Sequence, residues 1–333
     1  MIRKVVISLF VLAMLIHAVM GIWWLAAAWG VFLLLYLFFT ASGKILQWLW
    51  SKYLLIIPVL SVIIISFPIL FRLFFFEFIG IPSTSMERTI LPGDFIYVSK
   101  LPYGPRMPVN PYEIIWFNVI LLSIEGERAD FEREVWQRRR LRGYGSPEIN
   151  DVVVFAHPYS GDFFIKRCAA TPGDTLQLRY GVLYVNGIEI PRPPTINNNP
   201  GPATGWDIYR PAAARGWTID NWGPYVLPSR GMEIELDSVN MVTYGSLVSR
   251  LEGVPAGELA SMARRGEAYI FKEDYYFFLG DNRHRSHDSR LFGPVPDIDI
   301  IGKATRVIFN RNNRIPLSER FMVSLRKERN FRR

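Results

Sequence analysis

The chain has 333 residues, half of them hydrophobic, with 38 Lys and Arg against 30 Asp and Glu for a formal charge of +8. The apolar residues are heaped at the N-terminal end, which excludes an ordinary soluble composition. No basic patch with interleaved aromatics accompanies a nucleic-acid motif, so nucleic acid is not an expected partner, and the single cysteine, Cys168, excludes an intramolecular disulfide.

Val5 to Thr40 is uncharged apart from His17, and Leu54 to Phe71 is uncharged as well. One helix over the first run would be on the order of 54 Å long, well beyond a bilayer core of about 30 Å. That run therefore reads as two spans, about 5–20 and 22–40, turning near Met20 and Gly21. A third span follows at about 54–73, with two spans in all as the alternative count. A cleaved signal peptide fits poorly, although "LAAAWG" offers small residues, because the apolar run continues far beyond it. Arg3 and Lys4 precede the first span, and Lys44 and Lys52 lie before the third. With those cations on the cytoplasmic side, an odd number of spans puts everything after residue 75 across the membrane. Residues 1–77 are expected to form a membrane anchor for an extracytoplasmic domain.

Beyond the anchor, short apolar stretches are broken by Gly, Pro and Asn. "DFIYVSK", "DVVVFAHP", "FFIKRCAA", "LYVNGIEI", "YYFFLGD" and "KATRVIF" are predicted strands, with "TPGD" and "VNG" as turns. The fold class expected is mainly β and mostly antiparallel, with a core of residues 78–190 and 269–316. Helical periodicity is convincing only from about Pro111 to Arg142, which makes 104–150 a partly helical insertion. Residues 191–268 open on "PRPPTINNNPGP" and read as a loop-rich inserted lobe without catalytic motifs. The last segment, 317–333, reads as a basic surface tail, either solvated or touching anionic lipid headgroups.

The first residues expected outside the bilayer are "GIPSTSMERTILPGD", with Ser83 and Ser85 beside Pro82. A nucleophilic serine needs a base within hydrogen-bonding reach. His284 and His287 lie with Asp281 and Asp288 in "GDNRHRSHDSRLFG", so a triad of Ser85, a histidine and Asp288 is conceivable on residue types, as is a metal site. His17 falls inside a span and His157 lies elsewhere. Lysine is the other candidate base. In "FFIKRCAATPGD" Lys166 shares a strand face with Phe164 and Cys168, while Arg167 shares the other with Ile165 and Ala169. An apolar setting would lower a lysine's pKa, whereas a guanidinium is never deprotonated in proteins.

Taken in order, "PSTSM", "LPGDFIYVSK", "DVVVF", "FFIKRCAATPGD" and "LGDNRHRSHDSRLFGPVP" resemble bacterial type I signal peptidase, the leader peptidase that removes signal peptides from exported proteins. The resemblance covers roughly residues 78–190 and 270–310. It implies that Ser85 is the nucleophile and Lys166 its general base. Ser83 matches the position whose hydroxyl joins the Ser85 N–H in stabilising the oxyanion. Ser286 matches the serine that hydrogen-bonds and orients the lysine amine. Asp281, Asp288 and Arg290 match residues that brace the site, and Met86 the residue after the nucleophile. Under the resemblance His284 and His287 lose their claim to be the base, Cys168 carries no chemistry, and no metal or organic cofactor is required.

The implied partners are signal peptides of secreted preproteins, membrane lipids and the protein-export machinery. The implied location is the bacterial inner membrane, multi-pass, with the catalytic domain on the periplasmic side. Three spans depart from the two-span arrangement common in enterobacterial members. The segment after "PYGPRMP" is only loosely comparable, and the lobe resembles insertions in Bacteroidetes-type members. The competing readings are a membrane-anchored Ser–His–Asp hydrolase and a non-catalytic envelope β-domain. Self-cleaving repressors use a similar Ser–Lys pair, but the apolar spans argue against them.

Overall fold

The computed structural model describes residues 2–19, 29–30, 32–34, 36–37, 71–109, 136–198, 209–312 and 321–324. The chain divides into two compact units, one of residues 1–73 and 108–137, the other of residues 74–107 and 138–333. In the first, helix α1 (Ile2–Val19) covers the first expected span. Its Phe10 ring meets those of Trp29 and Tyr36 at 5.8 and 5.9 Å. Among the described residues no helix is long and apolar enough to cross a membrane. The spans expected at 22–40 and 54–73 lie largely outside the described residues, as does most of the helical insertion expected at 111–142.

The second unit is mainly β. Its strands are β1 (Phe76–Gly80), β2 (Asp94–Ser99), β3 (Val152–Ala156), β4 (Phe163–Ala170), β5 (Thr175–Arg179), β6 (Val182–Val185) and β7 (Ile188–Glu189). They continue as β8 (Trp222–Val226), β9 (Glu233–Glu235), β10 (Ala268–Ile270), β11 (Tyr275–Leu279), β12 (Val295–Pro296), β13 (Ile300–Asn310) and β14 (Phe321–Ser324). An antiparallel sheet runs β1-β2-β13-β3-β4-β11-β12, and β14 also pairs with β13. Register shifts within β13, against both β2 and β3, curl this sheet. All six stretches predicted as strands contribute to the sheets, and Asn186 with Gly187, both at positive φ, makes the β6–β7 hairpin turn. Inside the stretch expected to be only a basic tail, β14 pairs with β13.

Side-chain alternation along β3 feeds two cores. Val152 and Val154 join a cluster with Met86, Ile90, Ile96 and Ile165, whereas Val153 and Phe155 join one with Cys168, Phe278 and Phe292. A larger third cluster backs β4 and β11. It brings Ala169, Ala170, Phe277 and Leu279 together with Leu176 and Leu183 of a second sheet, β7-β6-β5-β8, and with Trp222, Leu247 and Leu259. The Trp222 ring centre lies 4.6 Å from that of Phe277, the two rings tilted by 52°.

Residues 191–268 are more regular than their Pro- and Asn-rich opening suggests. They contain α2 (Arg210–Ala214), α3 (Ser238–Leu251) and α4 (Ala256–Arg264) besides β8 to β10. Helix α3 carries Val239, Val242, Thr243, Gly245 and Val248, all weak helix formers, so local propensity hides it. Tertiary burial of Thr243, Tyr244, Leu247 and Val248 holds it instead, with Asp237 accepting from the Asn240 N–H at 2.7 Å as N-cap. Leu247→Ala, at a fully buried position, is expected to cost about 2–5 kcal/mol of stability. Val239→Ala, on the same helix at a 57% exposed position, should cost within about 0.5 kcal/mol of nothing. Chemical-denaturation midpoints of the two variants check this ordering.

Candidate active site

Ser85 lies in the turn that leaves β1. Met86 and Ile90, both fully buried, anchor that turn in the apolar cluster beneath it, and the Ile90 N–H donates to the Met86 carbonyl. From the other side, the Asn282 N–H donates to the Ser85 carbonyl at 3.0 Å, and the Asn282 side-chain amide donates to the Thr84 carbonyl. The nucleophile candidate is thus clamped through its own backbone and is only 6% exposed.

Lys166 comes from the middle of β4. Strand β11 pairs with β4 from Ala170 to Arg167 and then departs at Gly280. Among the described residues, Phe163 to Lys166 therefore pair with β3 alone. Into that gap the Lys166 amine projects, 4% exposed, with Nζ 2.8 Å from Ser85 Oγ and 2.8 Å from the Ile165 carbonyl. Burial pushes its pKa down to about 8, against the opposing pull of the Asp288 and Asp281 carboxylates. Ser83 is exposed and stands with its hydroxyl oxygen 3.3 Å from that of Ser85.

Each of the two carboxylates is held by its own guanidinium. Arg167 donates from Nε and Nη2 to Asp281 at 2.7 and 2.6 Å, and Thr89 donates to the same carboxylate. Arg290 donates from Nε and Nη2 to Asp288 at 2.9 and 2.8 Å, and the Gly280 N–H donates to it at 3.0 Å. Burial raises the Asp288 pKa, but Arg290 and these hydrogen bonds outweigh it and hold the carboxyl below its ordinary value. Such two-pronged pairs fix geometry as well as charge.

The bond expected between Ser286 and the lysine amine is not made. Among the described residues Ser286 Oγ is buried with no hydrogen-bond partner at good geometry, and the second contact of Lys166 goes to the Ile165 carbonyl instead. The Ser286 hydroxyl does lie close enough to Asp288 to help depress its pKa. Gly280 makes this packing possible: a Cβ there would overlap Ser286 Oγ and Cβ and come within 2.8 Å of the Ser85 carbonyl.

Of the two candidate histidines, His287 lines the same cavity as Ser85 and Lys166, and His284 does not. His284 pairs with Asp220 at 3.3 Å, and His287 packs among the rings of His157, Phe164 and Phe292. Burial pushes the His157 and His287 imidazoles below their ordinary pKa, and it pushes the Cys168 thiol up. Among the described residues, no cluster of His, Cys, Asp or Glu is arranged to hold a metal. Arg167, Thr89 and Gly280 were not singled out for the site from the sequence. The adjacency of Arg167 to Lys166 was the one available signal, since alternation sends it to the face where Asp281 waits.

A cavity of about 350 Å³ opens beside Ser85 and Lys166, walled by Ile79, Ile81, Val154, Phe164 and Ile165. A buried amine poised at a serine hydroxyl, beside an apolar cleft, is equipped for acyl transfer.

The family described as signal peptidase, peptidase S26, matches residues 50–309. Signal peptidase I of Pseudomonas aeruginosa is 30% identical over 258 residues, which cover 72% of this chain and 69% of that protein. Signal peptidase I of Rickettsia typhi is 29% identical over 249 residues, covering 74% and 77%. A solved signal peptidase I from Enterococcus faecalis is 25% identical and covers 47% of this chain and 96% of its own, with a TM-score of 0.23 that carries no weight for the fold. With the family match spanning most of its length, the chain belongs to the signal peptidase family, peptidase S26, and is a serine endopeptidase.

Proposed function

We propose that this protein removes N-terminal signal peptides from exported preproteins by cutting after a small residue, with Ser85 as nucleophile and neutral Lys166 as general base. The observation that carries the reading is the 2.8 Å approach of Lys166 Nζ to Ser85 Oγ in a water-poor pocket. That distance lies within the range for direct proton transfer. As Ser85 Oγ bonds to the scissile carbonyl carbon, its proton passes to Lys166, and the resulting ammonium gives a proton to the departing amine. Lys166, neutral again, takes a proton from water as the water oxygen adds to the acyl carbon, and it gives that proton to Ser85 Oγ as the acyl–oxygen bond breaks, which restores both groups.

The negative oxygen of each tetrahedral intermediate would lie between the Ser85 N–H and the Ser83 hydroxyl. A donor of this kind is worth about 3 kcal/mol in other acyl transfers. The apolar cleft suits Ala-like side chains of an A-x-A cleavage site. An extended peptide could take main-chain hydrogen bonds from the edge of β4 that β11 leaves open. Asp281, Asp288 and Arg290 brace the base, and Ser286 packs behind it. The long uncharged stretches before residue 75 support a membrane location with the catalytic unit on the extracytoplasmic side, where a preprotein's cleavage site would emerge beside Ser85.

Ser85→Ala and Lys166→Ala should each lower preprotein cleavage by at least about 10²-fold to 10⁴-fold. Full activity in Lys166→Ala would sink the mechanism. In the wild type kcat/KM should climb with pH until about 8, where Lys166 becomes neutral. Asp288→Asn, which removes the larger charge favouring the ammonium, should move that limb to lower pH. The same lowered pKa affects stability. Between pH 8 and the ordinary lysine value the unfolded chain binds the extra proton, so stability rises with pH across that window. Below pH 8 the buried ammonium costs ~3 kcal/mol, and Lys166→Met should therefore melt above the wild type at pH 7 but not at pH 10.

Gly280→Ala tests the packing behind the base. The added methyl must displace Ser286 or the Ser85 carbonyl, so kcat should fall by about 10²-fold with KM little changed. Steady-state cleavage kinetics on a short peptide decide it.

A further inference from the structure

Behind β4, on the side away from Lys166, lies a second cavity of about 360 Å³. Its walls include Arg167, Gly181, Ile190, Arg192, Leu279 and Arg283. Arg283 stands on the loop between Asp281 and Ser286 and is 5% exposed. Among the described residues its Nε is buried without a hydrogen-bond partner, and its Nη1 makes one long contact, 3.4 Å, to the Gly181 carbonyl. Three guanidiniums and two carboxylates meet in this region. Arg167 takes Asp281 and Arg290 takes Asp288, each in a bidentate pair, so neither carboxylate is left for Arg283.

A buried cation without a counter-charge is costly, and buried charges are as a rule paired. Burial first, and then repulsion from Arg290 and Arg167, pushes the Arg283 pKa down to about 10, with Asp288 and Asp281 opposing. Glu189, the one carboxylate lining the cavity among the described residues, is exposed and accepts from the Tyr184 hydroxyl at 3.3 Å. It stays in solvent and does not neutralise Arg283. Arg192, also exposed, adds a further positive charge to the cavity wall.

We propose that this cavity binds a phosphate-class oxyanion against the Arg283 guanidinium, behind the strand that carries Lys166. A guanidinium fork matches phosphate oxygens in geometry and charge, and its weak hydration suits a buried site. The cavity is large enough for a small ligand. Its apolar walls at Ile190 and Leu279 admit either free phosphate or the phosphate of an anionic lipid headgroup. Because Arg283 lies between Asp281 and Ser286 in sequence, a bound anion would tie down the loop that faces Ser85 from behind. The site is independent of the proteolytic reading, since its readout is binding and not cleavage.

The test is thermal melting of the full chain in neutral detergent, with inorganic phosphate titrated against sodium chloride of equal ionic strength. A saturable rise of about 2 °C for each tenfold increase in phosphate above its Kd is expected, absent in chloride. Arg283→Gln should abolish the rise. Should that variant fail to fold, Arg192→Gln provides the second reading, with the apparent Kd weakened about tenfold. A parallel titration with short-chain phosphatidic acid in the micelle separates the sources: a rise with the lipid alone assigns a headgroup, and a rise with free phosphate assigns the soluble ion. Melting that responds to neither beyond chloride, or that responds equally in both variants, overturns the proposal.

Discussion

A lysine amine buried beside a serine hydroxyl is the constraint around which this structure is arranged. For the proposed role as base the amine must be dry enough to lose its proton near neutral pH, yet two carboxylates lie close enough to favour keeping it. Their charges are tempered by Arg167 and Arg290, each held in a bidentate pair. Left unpaired, the carboxylates would hold Lys166 as an ammonium, and an ammonium accepts no proton. The direction of the amine is set by its contacts to Ser85 Oγ and the Ile165 carbonyl, and the carboxylates act on it only through their field. The balance that leaves a pKa of about 8 comes from burial working against carboxylates whose fields are already partly spent.

The sheet supplies that pocket by a break in pairing. Strand β11 accompanies β4 up to Arg167, and beyond Leu279 the chain turns away at Gly280. The same departing residues hold the serine, because the Asn282 N–H reaches the Ser85 carbonyl and the Asp281 N–H reaches Met86 Sδ at 3.4 Å. One local event, the separation of two strands, thus opens the strand edge, clamps Ser85 and delivers both carboxylates. Rigid elements on three sides give the positional accuracy that the proposed proton transfer over 2.8 Å would require.

Much of this was legible in the sequence. The strand "FFIKRCAA" coincides with β4, because alternation and turn punctuation are local signals. Ser85 and Lys166, 81 positions apart, were joined by resemblance and not by any local pattern. Helix α3 escaped notice because its residues are poor helix formers and its burial against Tyr225 and Phe271 is a tertiary fact. Where the Ser286 hydroxyl sits depends on packing around Gly280, over distances that residue order does not encode.

Adjacent cations in one strand look redundant until their chemistries are compared. Successive side chains diverge, so Lys166 and Arg167 meet opposite sides of β4. Arginine keeps its charge under all ordinary conditions and offers a planar fork, which suits permanent pairing with Asp281. Lysine offers a compact amine whose charge burial can remove, which suits a group that must cycle between acceptor and donor. Exchanging the two would leave a guanidinium unable to accept a proton at Ser85 and an ammonium unable to grip both Asp281 oxygens in a rigid fork. The order Lys then Arg therefore places the charge that burial can remove beside Ser85 and the permanent one against Asp281.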